Sequence, residues 1–324
     1  MIKKTLSLTL LSTALFSIAS VANASITLKV ADNHWATHPT VVAMKEMGKA
    51  LEKETHGEVK IQVFSDSVLG TEKEAIDQMK MGILDIVRAS PITLESYNKT
   101  YGLLTLPYLF NDREDMYSAM NKIKDELYVE TEKNGFRAIA WNEAGSRSFY
   151  NSKRPIYTPE DLKGLKIRVP NSRSFIETIQ LLGATPTPLP FGEIYTGLQQ
   201  GIVDGAEGVH TLLTEAKHGE VAKYFSFDEH FMVPDMVVIS NRSWKKLTPQ
   251  QQQIITKLSE QYTQRVAELE QEKSQRLLDL AKTELHVKFN QVDKKPFKAL
   301  VEPMYVKARK NPRIAYYLNK IESK

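Results

Sequence analysis

The sequence predicts an α/β protein of two lobes crossed by one long helix, and three observations predict it. Segments with strand-like alternation are interleaved with helical spacing from Ile26 to Ala89. The same rhythm resumes between Arg137 and Ser240. From Thr248 to about Leu285 the chain then runs without internal Gly and with Pro only at its start, ~55 Å of helix at ~1.5 Å per residue, longer than one lobe is wide. A chain of 324 residues is long enough for two lobes of ordinary size.

Composition narrows the class further. There are 43 Lys+Arg against 39 Asp+Glu, so no concentrated basic excess points to nucleic acid. A quarter of the residues are charged, which excludes a membrane-embedded bulk. The absence of cysteine excludes a disulfide scaffold, a thiolate zinc site, an iron–sulfur cluster and an acylated anchor. Met1 to Ala24 reads as a targeting segment: Lys3 and Lys4 lead an apolar stretch that ends in Ala22-Asn23-Ala24, a small-x-small cleavage signal. Cleavage before Ser25 and export to the periplasm are expected, with no membrane anchor left on the mature chain.

The elements follow in order. Ile26–Ala31 alternates as a strand, Pro39–His56 carries Val42, Met44, Met47 and Leu51 at helical spacing, and Val59–Phe64 is a second strand. Thr71-x-x-Glu74 is a capping box opening the next helix, and Leu84–Ala89 is a third strand. This βαβαβ order predicts a mainly parallel sheet. In the second block Arg137–Trp141 and Leu165–Val169 are strands and Ser172–Leu182 is a helix. The Pro-rich run Thr185–Pro190 must be extended, because Pro biases its predecessor away from helix. Phe191–Gln200 is helical, while Ile202–Glu207 and Met236–Ser240 are strands. Thr248-Pro249-Gln250-Gln251 caps the long helix, whose apolar positions keep no strict heptad and so favour packing across two lobes over a coiled coil. Pro296–Lys324 is a basic amphipathic tail.

No signature of an enzyme stands out: G-x-G-x-x-G, the P-loop, H-E-x-x-H and G-x-S-x-G are all missing. His34 and His38 have metal-like spacing, but Pro39 spoils a shared helical face, and no metal or cofactor is expected. Arginines are the informative residues. Arg168 ends the strand Leu165–Val169, Arg147 follows another strand, and Arg88 lies near the end of the third. Open α/β sheets bind ligands at strand ends, and a guanidinium fork matches a carboxylate. Any one of the three could instead be an ordinary ion pair.

These residues sit in motifs that resemble the DctP-type solute receptors of TRAP (tripartite, ATP-independent, periplasmic) transporters. The motifs are Asp161-Leu-Lys-Gly-Leu-Lys-Ile-Arg-Val-Pro170, Gly183-Ala-Thr-Pro-Thr-Pro188, Phe191-Gly-Glu-Ile-Tyr195 and Val203-Asp-Gly-Ala-Glu207. Leu69-Gly70 before Glu72, and Leu106–Phe110, match as well. The resemblance implies a periplasmic-binding-protein fold whose two lobes close on an organic acid and deliver it to the small and large membrane subunits of a permease. It places the ligand carboxylate on Arg168, assisted by Arg147, and further pocket contacts on Asn33, Glu72, Asn171 and Phe191. Many members carry Asn after D-G-x-E. Glu207 of that motif is itself expected at the ligand, and Gly208 follows it, which leaves His210 or a water to supply the amide contact.

The surroundings of Asn33-His34, Arg88 and Arg147 resemble receptors for hexuronates and related sugar acids, and a polyhydroxy ligand suits Asn33, His34 and Glu72. A C4-dicarboxylate is the alternative, with Arg88 as its second positive group; a purely structural Arg88 is equally compatible with the sequence. A periplasmic enzyme on sugar acids is a remoter rival. The expected lobes are 25–144 with about 234–272, and 145–233 with about 273–324.

Overall fold

The computed structural model describes residues 25–323; the targeting segment and its cleavage site lie outside the described residues. Among the described residues eleven strands form two sheets. They are β1 (Ile26–Ala31), β2 (Val59–Phe64), β3 (Ile86–Ala89), β4 (Phe136–Asn142), β5 (Ser146–Asn151), β6 (Lys166–Val169), β7 (Thr185–Pro188), β8 (Gly205–Gly208), β9 (Tyr224–Met232), β10 (Asp235–Ser240) and β11 (Lys288–Gln291). The first sheet has the order β2-β1-β3-β10-β4 and the second β11-β9-β5-β8-β6-β7. Seven longer helices cover them: α1 (Pro39–Glu54), α2 (Glu72–Met81), α3 (Arg113–Tyr128), α4 (Arg173–Leu181), α5 (Pro249–Thr283), α6 (Lys295–Ala308) and α7 (Pro312–Glu322). Among the described residues no helix is long and apolar enough to cross a membrane.

The sheets are mixed, not mainly parallel. β1 pairs in parallel with β2 and β3, but β10 runs antiparallel to β3 and β4. In the second sheet β5 runs antiparallel to β8 and β9, while β6 is parallel to β7 and β8. The antiparallel strands are those on which the chain changes lobes, from β4 into β5 and from β9 into β10. Local periodicity does not report direction, so this departure was invisible in the sequence. Pro186 and Pro188 lie in β7, an edge strand, where a missing N–H costs least.

Both predicted capping boxes form. Thr71 and Glu74 exchange bonds at the start of α2, and Thr248 and Gln251 do so at the start of α5. The α5 helix packs Ile255, Leu258, Tyr262 and Val266 into the core under the first sheet. About four turns later, Ala281 enters the core of the second. Thus α5 spans both lobes. The C-terminal tail is two helices, broken where Asn311 caps Pro312. The last of them, α7, lies against α3 of the first lobe, whereas the sequence reading put it with the second. Glu126 and Glu130 of α3 explain the placement: Lys320 pairs with Glu126 at 2.6 Å, Tyr317 Oη donates to Glu130 at 2.9 Å, and Arg313 also pairs with Glu130.

Candidate functional site

Strand direction gathers the site at one sheet edge in each lobe. In the first, the C-terminal ends of β1 and β3 meet the start of the antiparallel β10 and the end of β4. This brings Asn33, His34, Arg88, Asp235 and Glu143 together. In the second, the ends of β6 and β8 meet the start of β5, which aligns Arg168, His210 and Arg147. The edges face one cavity of about 1350 Å³, ample for a small organic ligand. Nine of the ten sequence-predicted residues line it: Asn33, His34, Glu72, Arg88, Arg147, Arg168, Asn171, Phe191 and His210. Glu207 does not. It is fully buried behind Arg147 and so is corrected from a lining residue to a support.

The three arginines differ in what already holds them. Arg88 is 2% exposed and meets three carboxylates: Asp32 at 3.2 Å, Asp235 at 2.9 Å and Glu72 at 2.8 Å. It also donates to Asn33 Oδ1. Arg147 makes a fork on Glu207, Nε to Oε2 at 2.6 Å and Nη2 to Oε1 at 2.8 Å, and lies over the Phe175 ring. Arg168 is 4% exposed, yet its only partner among the described residues is the backbone oxygen of Leu189, which accepts from Nε at 2.9 Å and Nη2 at 2.7 Å. Among the described residues no carboxylate pairs with it.

The electrostatics follow. Burial presses the Arg168 pKa down to about 10, with Glu207 opposing and Arg147 adding its repulsion. Even so, Arg168 is fully cationic at neutral pH. Burial would raise the Asp32 carboxyl, but Arg88 and His34 hold it well below the usual range. Asp235 is raised, because burial and the neighbouring Glu72 and Asp32 carboxylates outweigh Arg88. Behind Arg147, burial of Glu207 is overcome by Arg147 and His230, which bring it down to about 2. His230 is fully buried, and although burial works against its charge, Asp228 at 2.8 Å and Glu207 raise it to about 9. Tyr108 of the first lobe donates to the same Asp228 at 3.2 Å, which ties this support to the opposite lobe.

The remaining candidates are placed as follows. His34 and His38 stack at 3.8 Å, and each Nδ1 bonds the Thr40 hydroxyl, at 3.1 and 2.9 Å. Among the described residues no three His, Asp or Glu groups converge as metal ligands. Phe191 reaches across the cleft to meet the His34 ring edge-on at 6.2 Å. Asn171 is exposed at the rim. A side chain at Gly208 would strike Leu212 Cδ1 at 2.8 Å, so apolar Leu212 occupies the space an Asn would need. His210 turns its Nε2 toward Ser274 of α5, 3.1 Å from the hydroxyl.

Sequence reasoning missed Asp235, Glu143 and Glu270, all of which line the cavity. Asp235 and Glu143 flank strands that were read correctly, so the strand-end rule applied to arginines would have found them. Glu270 sits mid-helix on α5, 3.8 Å from His38 and 3.6 Å from Lys273. Burial raises its carboxyl to about 7 against the pull of Lys273. No local signal in the helix marks it.

Known proteins share this architecture. The model of the DctP family, bacterial extracellular solute-binding protein family 7, matches residues 30–311. The uncharacterised protein YiiZ of Salmonella typhimurium is 38% identical over 98% of this chain and 96% of its own length. A TRAP periplasmic solute-binding protein of Anaerococcus prevotii, solved with bound α/β-D-glucuronate, superposes with a TM-score of 0.88 at 32% identity, covering 92% of this chain and 97% of that one. One from Xanthobacter autotrophicus with bound β-D-galacturonate gives 0.87 at 35% identity, over 91% and 98%.

Proposed function

The chain belongs to bacterial extracellular solute-binding protein family 7, and from that premise we propose that it is the periplasmic receptor of a TRAP transporter for a sugar acid, a hexuronate or aldonate. The observation that carries the ligand class is Arg168, a buried guanidinium with no carboxylate partner, facing a cavity rich in hydrogen-bonding side chains. A buried charge left unpaired is costly, and a ligand carboxylate removes that cost through charge-assisted bonds of ~1.5–3 kcal/mol each. Glucuronate and galacturonate in the two solved relatives support the same class.

Arg168 anchors the carboxylate and Arg147, held by Glu207, assists from the side. Asn33, Glu72, His34, Asn171 and His210 meet hydroxyls, and Phe191 with Leu212 forms an apolar wall. A micromolar complex needs about −8 kcal/mol, more than one ion pair leaves after ordering costs. Contacts from both lobes must therefore be made together, and this favours the closed form. The lobes hinge where the chain crosses, at Glu143–Gly145 and Val233–Pro234, with α5 bridging. The closed pair then docks on the small and large membrane subunits of the permease. The chain begins as a precursor cleaved before Ser25.

A thermal-shift screen of the mature chain against D-glucuronate, D-galacturonate, aldonates, C4-dicarboxylates and sialic acid tests the reading. A ligand at a hundredfold over its Kd stabilises by about 2.7 kcal/mol. A raised Tm with uronates or aldonates is expected; a response to C4-dicarboxylates alone overturns the ligand class.

A further inference from the structure

The first-lobe wall of the cavity carries more negative charge than positive. Three carboxylates, Asp32, Glu72 and Asp235, converge on the single guanidinium of Arg88. With Asn33 also accepting from it, four of the five N–H groups of that fork are committed. Glu72 and Asp235 themselves line the cavity. Both oxygens of Glu72 are engaged, Oε1 by Arg88 and Oε2 by Thr93 Oγ1 at 2.6 Å and the Ser90 N–H at 3.3 Å. Asp235 uses only Oδ2 on Arg88, which leaves Oδ1 to accept from a ligand. The other lining arginines and lysine are spoken for: Arg113 by Glu143 at 2.6 Å, Arg147 by Glu207 at 2.6 Å and Lys73 by Asp77 at 3.0 Å. Of the arginines and the lysine among the described lining residues, Arg168 alone has no carboxylate partner.

We infer that the Glu72–Arg88–Asp235 wall limits the ligand to one carboxylate: it accepts hydroxyl hydrogens from the end of the sugar acid remote from Arg168 and rejects a second anionic group there. The inference rests on the sugar-acid receptor reading and specifies it. Hexarates have the carbon chain of hexuronates with a carboxylate at each end, so neither orientation keeps the second carboxylate away from this wall. Their exclusion is electrostatic and works through a repulsive element as much as through the attractive one. Like charges brought together in a desolvated interface lower affinity by about a hundredfold or more.

Calorimetric titration of the mature full chain tests this, with D-glucuronate and D-galacturonate set against D-glucarate and galactarate. The expected result is uronate affinity at least about a hundredfold above that of the matching hexarate. Asp235→Asn and Glu72→Gln each remove one negative charge from the wall, and each is expected to narrow the gap by improving hexarate binding. Equal affinity of the wild-type protein for a uronate and its hexarate overturns the inference and leaves the receptor reading standing. The wild-type comparison does so even where a variant fails to fold. Binding of neither acid overturns both.

Discussion

Arg88 and Arg168 are the same residue type in corresponding places, each inside a strand that ends at the cleft, yet the two lobes treat them oppositely. The first lobe surrounds Arg88 with three carboxylates, whereas the second leaves Arg168 with one backbone carbonyl. A guanidinium whose charge is already balanced is part of the framework. One whose charge is not balanced is where we propose the ligand carboxylate to sit. The number of acidic partners separates the roles, and position on the strand does not.

The contrast is sharpest in a pair of truncations. Arg88→Ala leaves the buried Asp32 and Asp235 and the half-buried Glu72 without their guanidinium, and a loss of about 3–5 kcal/mol in urea unfolding is expected. Retained stability in that variant would show that the cluster is not structural. Arg168→Ala should leave the unfolding midpoint unchanged or raised, since an unpaired buried cation is removed, while acid affinity falls by about 2–5 kcal/mol in calorimetry. Undiminished affinity would remove the distinction between the lobes.

Arg147 stands between these extremes, with one carboxylate partner. Glu207→Gln keeps the shape but weakens the fork and takes one anion from His230, so acid affinity should fall by about 1–3 kcal/mol. Its effect on binding should be smaller than that of Arg168→Ala; an equal or larger loss would make Glu207 more than a support.

The smallest effect concerns Glu270, between the lobes on α5. Its pKa rises from the usual 4.5 to about 7 on folding, so the folded state holds a proton that the unfolded state has released. Stability therefore falls as pH rises from about 4.5 to 7, and the loss is complete above 7. The full shift corresponds to ~3 kcal/mol, and the partial exposure of Glu270 to the cleft reduces it, so Glu270→Gln should stabilise by ~1–2 kcal/mol at pH 8 and by nothing at pH 4. A pH-independent change in Tm would contradict the assigned burial.

Much of this was legible from residue order. Strands β1 to β4, β6, β8 and β10, the two capping boxes and the long helix were read from periodicity and local side-chain chemistry, whereas β5, β9 and β11 were not. Arg168 was found from its place at a strand end, and Arg147, expected just after a strand, lies within β5. What escaped was long-range. Asp235 lies 147 residues from Arg88, and only the antiparallel insertion of β10 beside β3 brings them together. Glu207 looked like a pocket residue because it shares a motif with Asp204 and Gly205. The pairing of β8 with β5 instead puts it behind Arg147. Sequence separation and strand direction thus hid whether each arginine was already neutralised, although the arginines themselves were plain.

The most direct measurement is a crystal structure of the mature protein with D-glucuronate. The account predicts the carboxylate in hydrogen-bond contact with the Arg168 guanidinium and hydroxyls facing Glu72 and Asp235. A carboxylate seated on Arg88 instead, with Arg168 unengaged, would contradict it.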